Sequence, residues 1–203
     1  MGTTPYRKPR RAARKNMLFR AMPRVVPAKV LALALAVAPV VSGALAAGCG
    51  ASRSAFDGTT YRSGAVAFKV PAVPAGWQRV DVTDAALAFR DEAHDASALV
   101  NARCGEKDGD APLVALTNQL VMGMTERVAS LEETLPFDGR EARHTRLSAK
   151  LDGVARELDI YVLKKDGCVY DFVYVAAPEH AAAGMPPFDA FVRGFHTAAG
   201  EGP

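Results

Sequence analysis

The most distinctive chemical setting in the sequence belongs to Cys49. This cysteine follows the apolar segment Val30 to Ala47, with Gly48 between them. Nine lysines and arginines precede the apolar segment, and the first acidic residue of the chain is Asp57. A basic region, an apolar region and then small residues form the layout of a secretory signal peptide. Residues 1–48 are therefore predicted to be a cleaved export signal.

The residues Leu45-Ala46-Ala47-Gly48-Cys49 resemble the lipobox of bacterial lipoproteins, although Ala46 stands where that motif most often has leucine. The resemblance implies cleavage between Gly48 and Cys49 and attachment of a diacylglyceryl group to the Cys49 thiol. Several acyl chains hold a protein firmly on a membrane, whereas one chain binds only marginally. Gly50, in place of Asp, implies sorting to the outer membrane, facing the periplasm.

Two alternatives to this lipid anchor remain open. One is an ordinary signal peptide that ends in a cysteine by chance. The other is a permanent membrane helix, but the apolar segment has 18 residues and a span needs about 20. Pro39 and Gly43 also interrupt the segment, and both disfavour a helix. The basic region is longer than usual, and Met17 or Met22 offers a later translation start.

Cys104 and Cys168 complete the set of three cysteines. Cys104 ends one strand-like run and Cys168 begins another, so the two meet if those strands are neighbours. A pair of cysteines in an exported protein usually oxidises. The sequence therefore predicts a disulfide between them, with two buried free thiols as the alternative.

The histidines give no metal-binding pattern. His94, His144, His180 and His196 are far apart, and no pair has the spacing of zinc ligands. His144 lies beside Arg143 and Arg146, which predicts a solvated polar face. The acidic loop of Glu106, Asp108 and Asp110 lacks the alternating frame of a calcium loop. We therefore predict neither a metal nor a cofactor.

The sequence also lacks the common catalytic signatures. There is no Gly-x-Ser-x-Gly elbow, no Walker loop and no dinucleotide fingerprint. Asp171 is the one polar residue in an otherwise apolar run, and buried carboxylates of this kind are more often hydrogen-bonded than catalytic. A hydrolase whose site joins distant residues, such as Asp171 and His144, remains an alternative.

The elements around these residues follow from hydrophobic periodicity. Alternating apolar residues predict strands at 66–70, 87–89 and 98–104. Leu113, Leu116, Leu120 and Met124 then follow at helical spacing, with Asp110 as a candidate cap and Pro112 in the first turn.

The last third of the chain predicts an antiparallel meander. Asp-Gly pairs at Asp138-Gly139, Asp152-Gly153 and Asp166-Gly167 lie between strand-like runs, and such pairs favour two-residue hairpin turns. The runs cover 140–151, 154–164 and 168–176. In the middle run Glu157, Asp159 and Tyr161 alternate with apolar residues, which predicts one wet face.

After Pro186-Pro187, four apolar residues predict an amphipathic helix laid on the sheet: Phe188, Phe191, Val192 and Phe195. Strands grouped apart from helices indicate an α+β fold. The sequence thus predicts an antiparallel sheet packed by a mid-chain helix and a C-terminal helix. Its domains are a lipoprotein signal peptide at 1–48, a flexible tether at 49–63 and one α+β domain at 64–197.

The order of these elements resembles the PsbP-like fold. The residues that carry the resemblance are Phe68-Lys69-Val70-Pro71, Pro74-Ala75-Gly76-Trp77, the mid-chain helix, the Asp-Gly hairpins and the phenylalanine-rich terminal helix. That group includes the photosystem II extrinsic subunits, the Ran-binding Mog-type proteins and many bacterial lipoproteins. The resemblance implies an accessory domain that is not an enzyme, and it supplies no site residues.

The charge distribution narrows the class of partner. The chain has a formal net charge of +3, yet nine of its 25 basic residues precede Cys49. The remaining 16 basic and 22 acidic residues give the body a net charge of −6, which disfavours binding to nucleic acid. The sequence predicts a lipid-anchored envelope protein whose non-catalytic domain binds or supports another envelope protein, with the hydrolase or a carrier of small apolar ligands as alternatives.

Overall fold

The computed structural model describes residues 54–105 and 110–198, so the predicted signal peptide, Gly48 and Cys49 lie outside the described residues. Within these ranges the structure contains eleven strands and two α-helices. The strands are β1 (Ala55–Phe56), β2 (Thr60–Ser63), β3 (Val66–Lys69), β4 (Trp77–Arg79), β5 (Leu87–Asp91), β6 (Ala96–Cys104), β7 (Thr125–Phe137), β8 (Arg140–Leu151), β9 (Val154–Lys165), β10 (Cys168–Ala176) and β11 (His196–Thr197). The helices are α1 (Leu113–Leu120) and α2 (Pro178–Arg193), and a 3₁₀ turn spans Glu92–His94.

Two antiparallel sheets organise these strands. The larger sheet has seven strands in the order β4-β5-β6-β10-β9-β8-β7, and the smaller has four in the order β1-β2-β3-β11. Helix α1 packs on β8 and β9, and helix α2 packs on β6, β9 and β10. The predicted α+β class, with a mid-chain and a C-terminal helix on the sheet, is confirmed.

The three Asp-Gly pairs form the predicted hairpin turns. Asp138, Asp152 and Asp166 have φ angles of 45°, 51° and 52°, and the glycine after each has φ between 73° and 82°. Positive φ at both central residues defines the type I′ turn, whose twist matches that of the flanking strands. The turns join β7, β8, β9 and β10 into one meander.

The strands begin earlier than the sequence indicates. Residues 55–56 and 60–63 lie within the segment predicted to be a flexible tether, yet they form β1 and β2. Strand β2 pairs with β3 from Thr60 to Ser63, and the ring of Tyr61 stacks on that of Phe68. Ordered pairing therefore starts before Gly64.

Both helices depart from the local predictions at their ends. Asp110 does not cap α1, because Pro112 is the N-cap and no side chain in the described part of the chain bonds there. Helix α2 begins at Pro178 and continues through Pro186 and Pro187. Each proline removes one backbone N–H, and the carbonyls left without that donor belong to exposed Ala182 and Ala183, where water can reach them.

The main core lies between α2 and the larger sheet. Its interior is largely aromatic and includes the following fully buried side chains: Phe68, Phe89, Tyr161, Phe172, Tyr174, Phe188, Phe191 and Phe195. Trp77 is also buried in this cluster and stacks on Tyr174. Opposite, α1 closes a smaller apolar cluster of eight buried residues.

Asp138 links the two sheets. Its carboxylate accepts hydrogen bonds from Lys165 Nζ at 2.8 Å, from the Thr197 N–H at 2.9 Å and from His196 Nδ1 at 3.1 Å. Burial opposes ionisation of this carboxyl, but these bonds outweigh it and lower its pKa to about 2. The charged form of Asp138 therefore stabilises the attachment of β11.

The first prediction concerns Gly184, a buried residue inside α2. A Cβ placed there would collide with the Tyr174 hydroxyl and lie 2.8 Å from Cζ of the same ring. We expect Gly184→Ala to lower the free energy of unfolding by about 1–3 kcal/mol, although alanine favours an exposed helix by about 1 kcal/mol over glycine. Urea unfolding measures the change.

Ala183→Gly, at an exposed position of the same helix, serves as the control, because it shows only the ordinary loss of helix propensity. A Gly184→Ala variant as stable as wild type would contradict the close approach.

The second prediction concerns Asp138 and pH. Its pKa is lower in the folded protein than the ordinary value of 3.8, so its stabilisation is complete above about pH 5 and disappears as the pH falls through about 2. Asp138→Asn, which keeps a turn-compatible residue, should lower the free energy of unfolding at pH 7 by about 2 kcal/mol. The difference should shrink between about pH 5 and pH 2. The exposed substitution Asp81→Asn provides the control, and a difference that stays constant with pH would refute the assignment.

Candidate functional site

The predicted disulfide is present at one end of the larger sheet. Cys104 of β6 and Cys168 of β10 stand directly opposite each other in the strand register and are bonded. The bond therefore joins two neighbouring central strands. Neither cysteine is available as a nucleophile.

His144 is buried, so the prediction of a solvated polar face is wrong. The residue is 2% exposed because α2 covers this face of the sheet. Its Nδ1 lies 3.0 Å from Oε1 of Glu133, and its Nε2 lies 2.6 Å from Oδ1 of Asp159. The ring also stacks on Tyr161 with centroids 3.9 Å apart.

Asp159 and Tyr161 are both fully buried, so the predicted wet face of β9 is covered as well. Arg146 donates to the second oxygen of Asp159 at 2.9 Å and balances its charge. Tyr161 donates to Asp189 of α2, and burial together with this carboxylate raises the tyrosine pKa. This polar cluster holds α2 on the sheet.

The pair suggested for a hydrolase does not assemble. Asp171 stands opposite Asn101 and Val162, which belong to the α1 face of the sheet. His144 stands opposite Tyr161, whose side chain belongs to the α2 face. The sheet therefore separates Asp171 from His144. Asp171 forms an ion pair with Arg103 instead.

The other polar candidates are spread over the fold. His94 contacts the buried Asp91, whose pKa is lowered because hydrogen bonds from His94 and Tyr174 outweigh its burial. His196 contacts Asp138. In the described parts of the chain, no three His, Cys, Asp or Glu side chains are grouped as they would be in a metal site. Glu106 and Asp108 of the acidic loop lie outside those parts.

Part of the α1 face of the larger sheet is open to solvent. Helix α1 has only eight residues and packs on β8 and β9. It leaves a groove on each side, one toward β5 and β6 and one toward β7. Both grooves are absent from the sequence predictions, because no local pattern reports how much of a sheet a helix covers.

We call the first the apolar groove. It has a volume of about 360 Å³, and its main lining residues are Val80, Val82, Leu99, Leu151, Arg156 and Val175. Val80 and Val82 are 40% and 45% exposed, which is unusual for neighbouring apolar side chains beside a cleft. Arg90 and Arg156 flank Asp95 at its rim and lower the pKa of that carboxyl by hydrogen bonding.

We call the second the arginine groove. It has a volume of about 220 Å³ and lies between α1 and the β7–β8 hairpin. Arg127, Arg143 and Glu132 line it together with the buried Thr145. It is the more polar of the two grooves.

Comparison with known proteins gives a fold. No protein-family model matches the sequence, and no curated protein matches it significantly. Solved structures do match. Cyanobacterial PsbP (CyanoP) from Synechocystis sp. PCC 6803 is 18% identical with a TM-score of 0.50, and the alignment covers 66% of this chain and 87% of that one. A protein from Bacteroides thetaiotaomicron VPI-5482 is 10% identical with a TM-score of 0.50, covering 73% of this chain and 51% of that one.

A third match is LpqN, described as involved in cell envelope biogenesis of Mycobacterium tuberculosis. It is 14% identical with a TM-score of 0.47 and covers 64% of this chain and 83% of its own. The likeness to CyanoP shows a shared architecture, so the chain has the PsbP-like fold that its sequence indicates. Among the residues that the structure describes, no helix has the length and hydropathy of a membrane span.

Proposed function

We propose that this protein is exported, is anchored to the outer membrane through a lipidated Cys49, and faces the periplasm. Its folded domain acts there as a binding module for another envelope protein, without catalysis of its own. The Leu45 to Cys49 motif supports the anchor. The disulfide between Cys104 and Cys168 supports an oxidising compartment, because such bonds persist outside the cytosol.

The apolar groove is the observation that carries the binding role. Soluble domains seldom leave contiguous apolar clefts open to water unless something binds there. Val80 and Val82 are half-exposed beside the groove, and the two arginines against one aspartate give its rim a net positive charge. The occupant that fits is an apolar segment of a partner protein with an acidic side chain next to it.

The position of the anchor limits where that partner can be. Cys49 lies five residues before Ser54, where the described part of the domain begins. Five residues span at most about 18 Å even when fully extended. A lipidated Cys49 therefore keeps the domain close to the bilayer, and the partner is a membrane protein or another anchored protein.

A carrier of small apolar ligands is the second candidate. The volume of the apolar groove, about 360 Å³, lies in the range of small-molecule sites, roughly 300–1,000 Å³. In that case the groove would hold a ligand and not a protein segment.

Metabolic labelling with palmitate tests the anchor. The wild-type protein should take up label and sediment with outer membranes, whereas Cys49→Ser should lose the label and become soluble, because the acyl chains have no thiol to join. Cys168→Ser is the control that keeps Cys49. Equal labelling of wild type and Cys49→Ser would refute lipidation.

Site-specific photocrosslinking tests the groove. A photoreactive amino acid at Val82 should form an adduct with one envelope protein in cells, and the same probe at Val128, which is exposed on β7, should not. Arg156→Glu should abolish the Val82 adduct by reversing the rim charge, while Arg62→Glu on the other sheet should leave it. An adduct that persists in Arg156→Glu would contradict an acidic partner segment. A bound small molecule in native mass spectra, lost in Val82→Asp, would favour the carrier.

A further inference from the structure

The arginine groove has features that the binding role of the apolar groove does not use. One wall is formed by the side of α1 that faces β7, and its residues there are Val114, Thr117 and Asn118. The other wall is the edge hairpin of β7 and β8. Its floor contains Ala129 and Leu147, which stand opposite each other in the hairpin. The groove is therefore apolar below and polar at its sides.

Two irregularities in β7 shape this groove. The pairing with β8 slips by one residue between Thr125 and Val128, and again between Ala129 and Leu131. Residues three apart in a regular strand face opposite sides, yet the second slip places Ala129 and Glu132 on the same side. Bulges that re-aim side chains in this way are frequent beside functional sites.

Thr145 is the buried polar group of the groove. The residue is 5% exposed, and its hydroxyl has no hydrogen-bond partner among the residues that the structure describes. Its strand neighbours are Glu132 and Ile160. A buried hydroxyl left without a partner destabilises a fold, so an occupant of the groove that bonds to Thr145 gains affinity from it.

The charges of the groove do not balance. Arg143 is paired with Glu132 at 2.8 Å. Arg127 donates to the Val121 carbonyl at 3.5 Å, and among residues 54–105 and 110–198 no carboxylate lies within ion-pair distance of it. The groove thus keeps one uncompensated positive charge on a body whose net charge is −6.

We propose that the arginine groove binds a small monocarboxylate with a short apolar body. The planar carboxylate matches the fork of N–H donors on a guanidinium and balances the charge of Arg127. The second polar contact is the Thr145 hydroxyl. The apolar body lies against Val114, Ala129 and Leu147, and the volume of about 220 Å³ limits the ligand to a small molecule.

Amide-detected NMR titration of the folded protein with hexanoate tests the proposal. Hexanoate should produce saturable shifts at Val114, Asn118, Ala129 and Thr145. Hexanamide, which has the same shape without the charge, should bind at least about tenfold more weakly, because a charged partner roughly doubles the strength of a hydrogen bond. N-acetyl-leucine and its amide form a second pair, which reports whether the carboxylate of a chain terminus also fits.

Three variants locate the binding. Arg127→Gln removes the uncompensated charge at an exposed position and should weaken hexanoate by about tenfold while leaving hexanamide unchanged. Thr145→Val keeps the shape and removes the hydroxyl, so it should weaken hexanoate several-fold yet leave the unfolding midpoint unchanged or higher. Arg62→Gln, at an exposed arginine of β2 on the smaller sheet, is the matched control and should bind hexanoate as wild type does.

Several results would overturn the proposal. Hexanoate shifts that fail to saturate, or that fall outside the arginine groove, would mean that the groove holds only water. Equal affinity for hexanamide, or an Arg127→Gln variant that binds hexanoate normally, would remove the role of the charge. A Thr145→Val variant with lower stability would show that its hydroxyl already has a partner.

Discussion

Both grooves exist because a short helix lies on a wide sheet. Helix α1 has eight residues and is therefore about 12 Å long, whereas the seven strands of the larger sheet extend about 29 Å from edge to edge. One such helix cannot cover that face. It buries the apolar residues of β8 and β9 beneath it and leaves the surface on either side open. The positions of the candidate sites follow from this mismatch.

The opposite face of the larger sheet is covered by a longer helix and by a second sheet. Helix α2 has sixteen residues and is joined there by the smaller sheet, and aromatic rings fill the space between them. The polar cluster of His144, Asp159 and Tyr161 is enclosed on this face. Its carboxylates, ring nitrogens and arginine partners satisfy one another, which makes it an attachment for α2. On this face hydrogen bonds and an ion pair therefore offset the cost of burying charge, while incomplete burial on the other face provides surface for ligands.

The predictions that succeeded rest on short stretches of chain. An Asp-Gly pair adopts its turn through the backbone preferences of two residues, and all three pairs do so here. The run predicted at 168–176 is strand β10 with the same bounds, and it is apolar over nearly its whole length. The disulfide followed once Cys104 and Cys168 were placed at the ends of strands that became neighbours.

The predictions that failed depend on distant parts of the chain. Alternation of polar and apolar residues in β9 predicts two different faces, but it does not predict whether a helix covers the polar one. Asp159 and Tyr161 were therefore predicted to be exposed. The proline pair in α2 signals a break locally, yet packing of Phe188 and Phe191 keeps the helix continuous. No local pattern in the sequence marks Arg127 and Thr145 as site residues. They line the same groove only because of the two bulges in β7 and the position of α1.

The amino-acid sequence by itself determined the turns, the periodicity of the strands and helices, the fold class and the charge difference between residues 1–48 and the rest of the chain. These properties arise from backbone preferences and from the composition of adjacent residues. Only the tertiary structure decided which polar groups are buried, that Asp171 and His144 lie on opposite faces, and where the sheet stays uncovered. Those outcomes depend on which elements pack together and how far each one reaches, and neither quantity is a property of any single segment.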